Sequence, residues 1–243
     1  MNQAMTRDLQ IARRVQEALV PEDSFTTDRI EIRSSYIPSA TLSGDFYDYF
    51  AQNGSLYLFV ADVSGHGLPA AILVSLLKSY IHTEATPEGS LAEFMANLND
   101  FLYSVSLPSQ FATAQLFRFR ADGRLNYSSA AHPPFLLFRR SQKRTETFEE
   151  PGNLLGAMPK MTFDERTMNV SAGDTLFVYT DGLTDMRSET GEFYSIDRVA
   201  VMLEDGADTD LATLHQRIQA DVTGFSAVEE FRDDIAFVLA RIR

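Results

Sequence analysis

Strand-like sequence comes in runs along this chain, and helical sequence comes in two separate pairs; that order limits the available folds more than any other feature. Arg29–Ile37 alternates as a strand, and Phe46–Phe50 and Leu56–Val63 flank an Asn53-Gly54 turn, which reads as a tight hairpin. Pro69 occupies a first helical turn, and the apolar run beyond it continues as a helix to about Thr83. A second helix, Leu91–Val105, opens on Ser90 with Glu93 at capping-box spacing. Phe111–Arg120, Arg124–Ser129 and Pro134–Arg139 then read as an antiparallel meander, with weaker strands near Thr145–Phe148 and Met161–Val170. After a short buried strand, Asp174–Thr180, come helices at Ile196–Leu203 and Leu211–Gly224 and a closing strand, Ile235–Ile242. The expectation is an α+β fold of antiparallel sheets covered by helix pairs, and not an alternating parallel one.

A chain of 243 residues suits one large domain, or one domain with a short extension. The extension is expected at residues 1–22, with the main domain at 23–243. Met5, Leu9, Ala12, Val15 and Leu19 recur at helical spacing and Pro21 stops the pattern. Such a helix could pack on its own domain, serve as a linker, or pair with a coiled-coil partner.

The formal charge of −13 argues against sequence-independent nucleic-acid binding. With no cysteine, disulfides and thiolate metal sites are excluded, while the redox compartment stays open. The start of the chain is polar, and the longest apolar runs, Leu56–Val60 and Ala70–Leu77, fall short of the roughly 20 residues a spanning helix needs. No signal peptide or membrane span is expected, and the cytoplasm is the default location.

Four polar signatures sit at strand ends: Ser43-Gly44-Asp45, Asp62-Val63-Ser64-Gly65-His66-Gly67, Thr180-Asp181-Gly182 and Asp233-Asp234. Any one carboxylate there is readily solvated. Gathered together they repel and raise one another's proton affinity unless a cation lies among them. Oxygen ligands select hard ions such as Mg²⁺ or Mn²⁺ over zinc. Two such ions can activate water and neutralise phosphoryl oxygens, so phosphate-ester hydrolysis is the natural reaction. Gly65, Gly67 and Gly182 allow the sharp turns that bring carbonyls near an ion.

Asp62-Val63-Ser64-Gly65-His66-Gly67-Leu68-Pro69-Ala70-Ala71 resembles the signature of the bacterial SpoIIE/RsbU branch of the metal-dependent protein phosphatases, which share the protein phosphatase 2C-like fold. Ser43-Gly44-Asp45-Phe46-Tyr47-Asp48, Tyr179-Thr180-Asp181-Gly182-Leu183-Thr184 and Asp233-Asp234-Ile235 resemble the family's other acidic motifs, in order. Ile11-Ala12-Arg13-Arg14-Val15-Gln16 through Leu19-Val20-Pro21 resembles the helix that often precedes such domains. The resemblance implies a sandwich of two antiparallel sheets flanked by helix pairs. It implies that Asp62 bridges two Mg²⁺ or Mn²⁺ ions, that Asp181 and Asp234 complete one ion's shell, and that the Val63 carbonyl and Asp45, directly or through water, serve the other. The nucleophile would be metal-bound water, with no phosphoenzyme.

His66 could protonate the leaving oxygen or only hold its loop by hydrogen bonds. His132 is read as structural, and Ala131 stands where the family usually has Gly. Asp185 replaces a frequent Glu, and Asp48 and Asp233 are read as supporting or solvated groups, not ligands. The resemblance implies a phosphoserine or phosphothreonine substrate on a STAS-type anti-sigma-factor antagonist in a partner-switching pathway. It also implies an upstream sensor or regulator, with the N-terminal helix as its link and as a route to a homodimer. Two rivals are a non-catalytic docking module of the same pathway and an ATP-binding domain using the Gly65-His66-Gly67 turn.

Overall fold

The computed structural model describes residues 3–83, 89–226 and 231–243, with side chains from residue 7 onward. In chain order the elements are α1 (Gln3–Glu17), β1 (Ser24–Thr26), β2 (Ile30–Ile37), β3 (Asp45–Gln52), β4 (Ser55–Val63), α2 (Leu68–Thr83) and α3 (Leu91–Val105). There follow β5 (Ala112–Phe119), β6 (Arg124–Ala130), β7 (Phe135–Arg139), β8 (Arg144–Phe148), β9 (Arg166–Asn169), β10 (Thr175–Tyr179), α4 (Gly182–Asp185), α5 (Ile196–Asp205), α6 (Leu211–Phe225) and β11 (Ile235–Ile242). They form two compact units.

The first unit comprises Met1–Pro21, Ala40–His132 and Glu150–Asn169. Its five-stranded sheet has the order β3-β4-β5-β6-β9, antiparallel throughout. The β3–β4 hairpin turns at Asn53 (φ 50°) and Gly54 (φ 74°), the two left-handed residues such a turn requires. Because side chains alternate along a strand, Phe46, Phe59, Ala61 and Leu116 share one face, and they pack in one core with Leu73, Val74 and Leu77 of α2 and Phe94, Met95 and Leu98 of α3. Asp48 is buried as well, and its Oδ2 accepts from Lys78 Nζ at 2.7 Å and pairs with His82 Nε2 at 2.6 Å, one helical turn apart on α2. It is therefore an internal anchor and not a solvated group.

The start of α3 departs from the expected capping box. Ser90 Oγ accepts from Ala92 N at 3.1 Å, but the carboxylate that takes the Leu91 N–H, at 2.8 Å, belongs to Glu165. Glu165 also accepts from Ser90 Oγ, Arg118 and Asn126, so a distant residue satisfies the exposed helix donors. The helix α1 departs too: Leu9, Ala12 and Leu19 are half-buried, yet Val15 is 57% exposed, and Gln16 is buried in its place. Spacings of three and four fit 9, 12, 16 and 19 as well as they fit 12, 15 and 19, and apolarity alone chose the wrong one. Met5, named with that face, has its side chain outside the described residues.

The second unit comprises Glu22–Ser39, Pro133–Glu149 and Val170–Arg243, with a sheet of order β1-β2-β11-β10-β7-β8, also antiparallel. Phe177, Tyr179, Phe237 and Leu239 pack with Val199 and Leu203 of α5 and Leu214, Ile218 and Val222 of α6. The expected meander is thus corrected. β5 and β6 pair, but β6 goes on to pair with β9, while the β7–β8 hairpin joins β10. The break falls at Ala131, with φ 51°, and Pro133-Pro134, whose missing N–H groups cannot extend the ladder. The fold class is α+β as expected, with two antiparallel sheets, each carrying its own helix pair.

Candidate metal centre

Each unit presents its own group of carboxylates. In the first, Asp45 opens β3 and Asp62 lies near the end of β4, directly opposite in the antiparallel register. Asp45 is 2% exposed. Facing like charges on adjacent strands destabilise a sheet, and burial makes this pair more demanding. The backbone beside them closes in: a Cβ on Gly44 would lie 2.5 Å from the Val63 carbonyl oxygen and 3.3 Å from that of Gly65. Gly65 (φ 89°) and Gly67 (φ 74°) both adopt left-handed conformations, as the expected turn after Asp62 requires.

In the second unit, Asp181 follows β10 and Asp233-Asp234 precede β11, and the two ends are tied together. Thr180 N donates to the Ala236 carbonyl at 3.0 Å and Ala236 N donates to Thr180 Oγ1 at 2.9 Å. A side chain at Gly182 would collide with the Asp234 carbonyl, so glycine is obligatory there. Burial pushes the Asp181 carboxyl above the ordinary carboxylate range, and the charges of Asp233 and Asp185 push it further. Asp234 is occupied differently: its Oδ1 accepts from Ser39 N at 2.7 Å and Ser39 Oγ at 3.0 Å. Asp233, expected as a supporting or solvated group, thus bears on Asp181 through its charge.

His66 is exposed and makes no hydrogen bond among the described residues, so it is not what holds its loop. His132 is buried and bonds through Nδ1 to Thr113 Oγ1 at 2.7 Å; Thr113 faces Asp62 across β4–β5. Ala131 takes the left-handed conformation that explains why glycine is usual there.

In neither unit, among the described residues, do three His, Cys, Asp or Glu side chains already form a cage for a metal ion. The donor chemistry nonetheless fits a hard divalent cation, because the side chains offered are carboxylates, and the repulsion between neighbouring ones is what such an ion removes.

Residues 52–243 match the family model for stage II sporulation protein E (SpoIIE). The chain is similar to phosphoserine phosphatase RsbP of Bacillus subtilis (strain 168), 26% identical over 98% of this chain and 58% of that protein. It is likewise similar to phosphoserine phosphatase RsbU of the same organism, 25% identical over 79% of this chain and 57% of that protein. The chain thus matches less than two thirds of the length of either relative. Among solved structures, the SiaA-PP2C domain of Pseudomonas aeruginosa matches with a TM-score of 0.84 at 22% identity, each chain covered in full. RsbX in complex with magnesium matches with a TM-score of 0.69 at 17% identity, covering 90% of this chain and 98% of that one. These last two likenesses establish the protein phosphatase 2C-like fold.

Proposed function

This chain belongs to the stage II sporulation protein E (SpoIIE) family, and from that premise we propose that it is a Mg²⁺- or Mn²⁺-dependent serine/threonine protein phosphatase. The observation that carries the reading is the register that sets Asp45 against Asp62, an arrangement costly without a cation and useful with one. In this reading Asp45, Asp62 and the Val63 carbonyl would hold metal in the first unit, and Asp181 with Asp234 would hold it in the second.

Bound ions would supply an activated water and neutralise charge on the phosphoryl group. The chain's own contribution is to hold its groups in place before substrate arrives: Ser39 fixes the Asp234 carboxylate, and the Gly44 carbonyl holds the Val63 N–H. His66, exposed and without a partner among the described residues, is available to protonate the leaving serine or threonine oxygen.

The names of the relatives, phosphoserine phosphatases, support a phosphoserine protein as substrate. We take it to be a STAS-type anti-sigma-factor antagonist, with residues 1–22 as a regulatory segment ahead of a phosphatase domain at 23–243, linking it to a sensor or to a second copy of the chain. The setting is the cytoplasm; no helix among the described residues is long and apolar enough to cross a membrane.

The deciding experiment is hydrolysis of a phosphoserine-bearing antagonist and of p-nitrophenyl phosphate with Mn²⁺, with Mg²⁺ and with chelator, using Asp62→Asn as control. Metal-dependent turnover lost in the variant supports the reading. Robust binding of the antagonist with no turnover of either substrate replaces it with the docking module.

A further inference from the structure

Gln16 is a polar residue buried on a helix whose other described side chains are exposed or half-buried. It is 5% exposed, whereas Ile11 and Val15 on the same helix are more than half exposed. Its side-chain amide grips the backbone of one residue from both sides. Nε2 donates to the Ser43 carbonyl at 2.6 Å, and Oε1 accepts from the Ser43 N–H at 3.0 Å. This is the exchange a neighbouring strand would make with an edge residue, yet Ser43 lies in the irregular segment before β3. Ser43 is fully buried, so without Gln16 two backbone groups would lose these partners where water does not reach.

The next two residues carry the contact onward. Ser43 Oγ accepts from the Asp45 N–H at 3.0 Å. The Gly44 carbonyl accepts from the Val63 N–H at 3.0 Å, and its Cα presses against the Val63 carbonyl so closely that no side chain would fit. Three consecutive residues therefore connect the Gln16 amide to the Asp45 backbone and to the N–H and carbonyl of Val63.

We infer that Gln16 is a positioning residue, through which helix α1 sets the geometry of Asp45 and the Val63 carbonyl and hence the cation affinity of that half of the centre. The inference rests on the ligand roles proposed above. Without the Gln16 amide, Ser43 must find other partners, and the segment that carries Asp45 loses its tie to α1. Groups that orient metal ligands in this way typically change metal affinity about 10- to 100-fold when removed.

The test is Mn²⁺ binding by isothermal titration calorimetry on the full chain, comparing wild type, Gln16→Met, Ser43→Ala and Asp62→Asn, with thermal unfolding in chelator as the stability control. Gln16→Met keeps the length of the side chain and removes both hydrogen bonds. The expected result is Mn²⁺ affinity about tenfold weaker or worse in Gln16→Met, a smaller loss in Ser43→Ala, and near-normal turnover of p-nitrophenyl phosphate once Mn²⁺ is saturating. Gln16→Met that melts lower in chelator yet binds Mn²⁺ like wild type overturns the inference while leaving the ligand roles intact, provided Asp62→Asn abolishes binding. If Asp62→Asn binds as wild type, the ligand roles fail and the inference fails with them. Should Gln16→Met not fold, Gln16→Glu takes its place, keeping the acceptor for the Ser43 N–H and setting a carboxylate oxygen against the Ser43 carbonyl. Weakened Mn²⁺ affinity in that variant supports the inference, and wild-type affinity overturns it.

Discussion

Asp45 and Asp62 face one another directly across β3 and β4, with Asp45 buried. The pair should weaken the metal-free protein and strengthen the metal-bound one. In chelator, Asp62→Asn is expected to raise stability by about 0.5–1 kcal/mol by removing a cross-strand repulsion. With Mn²⁺ at a hundred times its dissociation constant, wild type should gain about 2.7 kcal/mol and the variant far less. Thermal unfolding of both proteins with and without Mn²⁺ checks the reversal; parallel shifts of the two would refute it.

Ala131 holds a left-handed backbone conformation, φ 51°, between the last residue of β6 and His132. A Cβ in that region costs about 1–2 kcal/mol, which glycine avoids, though glycine gives part of it back in unfolded-chain entropy. Ala131→Gly should therefore stabilise by about 1 kcal/mol, a rise of roughly 2–4 °C in melting temperature. The nearby Gly152 offers a contrast in the same spot: a Cβ there would sit 2.8 Å from both Ala131 N and Ser129 O, so Gly152→Ala should destabilise. Differential scanning calorimetry of the two variants should move in opposite directions.

Much of this was legible in the residues themselves. Asn53-Gly54 announced its hairpin because few residues tolerate two left-handed conformations in succession. Asp45 and Asp62 were legible because strand ends fix where a carboxylate emerges. What escaped was set by partners far along the chain. The capping acid of α3 is Glu165 and not Glu93, the strands after Ala131 change sheet, and Gln16 is buried where Val15 was expected. The two adjacent aspartates look alike in sequence, and only the fold separates them: Ser39 binds Asp234, while Asp233 bears on Asp181.

Asp48 joins β3 to α2 through Lys78 and His82, and its Oδ1 also accepts from the Tyr49 N–H at 2.9 Å. Hydrogen bonds to a charged group contribute about 1.5–3 kcal/mol each at most, and they are not additive here because Lys78 and His82 share one oxygen. Asp48→Asn should lower stability by about 2–3 kcal/mol, read from the urea midpoint. Because Asp48 lies on the strand face that packs on α2, and not beside Asp62, Mn²⁺ affinity should change little. A large loss of affinity with unchanged stability would show that Asp48 belongs to the metal centre.

Asp221 supplies a pH signature that involves none of the carboxylates at issue in metal binding. Arg198 binds it twice, through Nε at 3.0 Å and Nη2 at 2.6 Å, and the Tyr194 hydroxyl donates to it at 2.7 Å. The Arg198 guanidinium holds the Asp221 carboxyl below the usual carboxylate range, with Tyr194 adding to the effect and partial burial opposing it. A depressed carboxyl binds its proton less readily folded than unfolded, so its stabilisation is complete above the unfolded value near about pH 4 and is lost as pH falls through the folded one. Asp221→Asn should cost about 1–3 kcal/mol at pH 7 and progressively less below about pH 4. Urea unfolding of wild type and variant at pH 7, 5 and 3 should give stability differences that are equal at the first two and smaller at the third. A difference that grows on acidification would mean that the pair is not what holds α5 against α6.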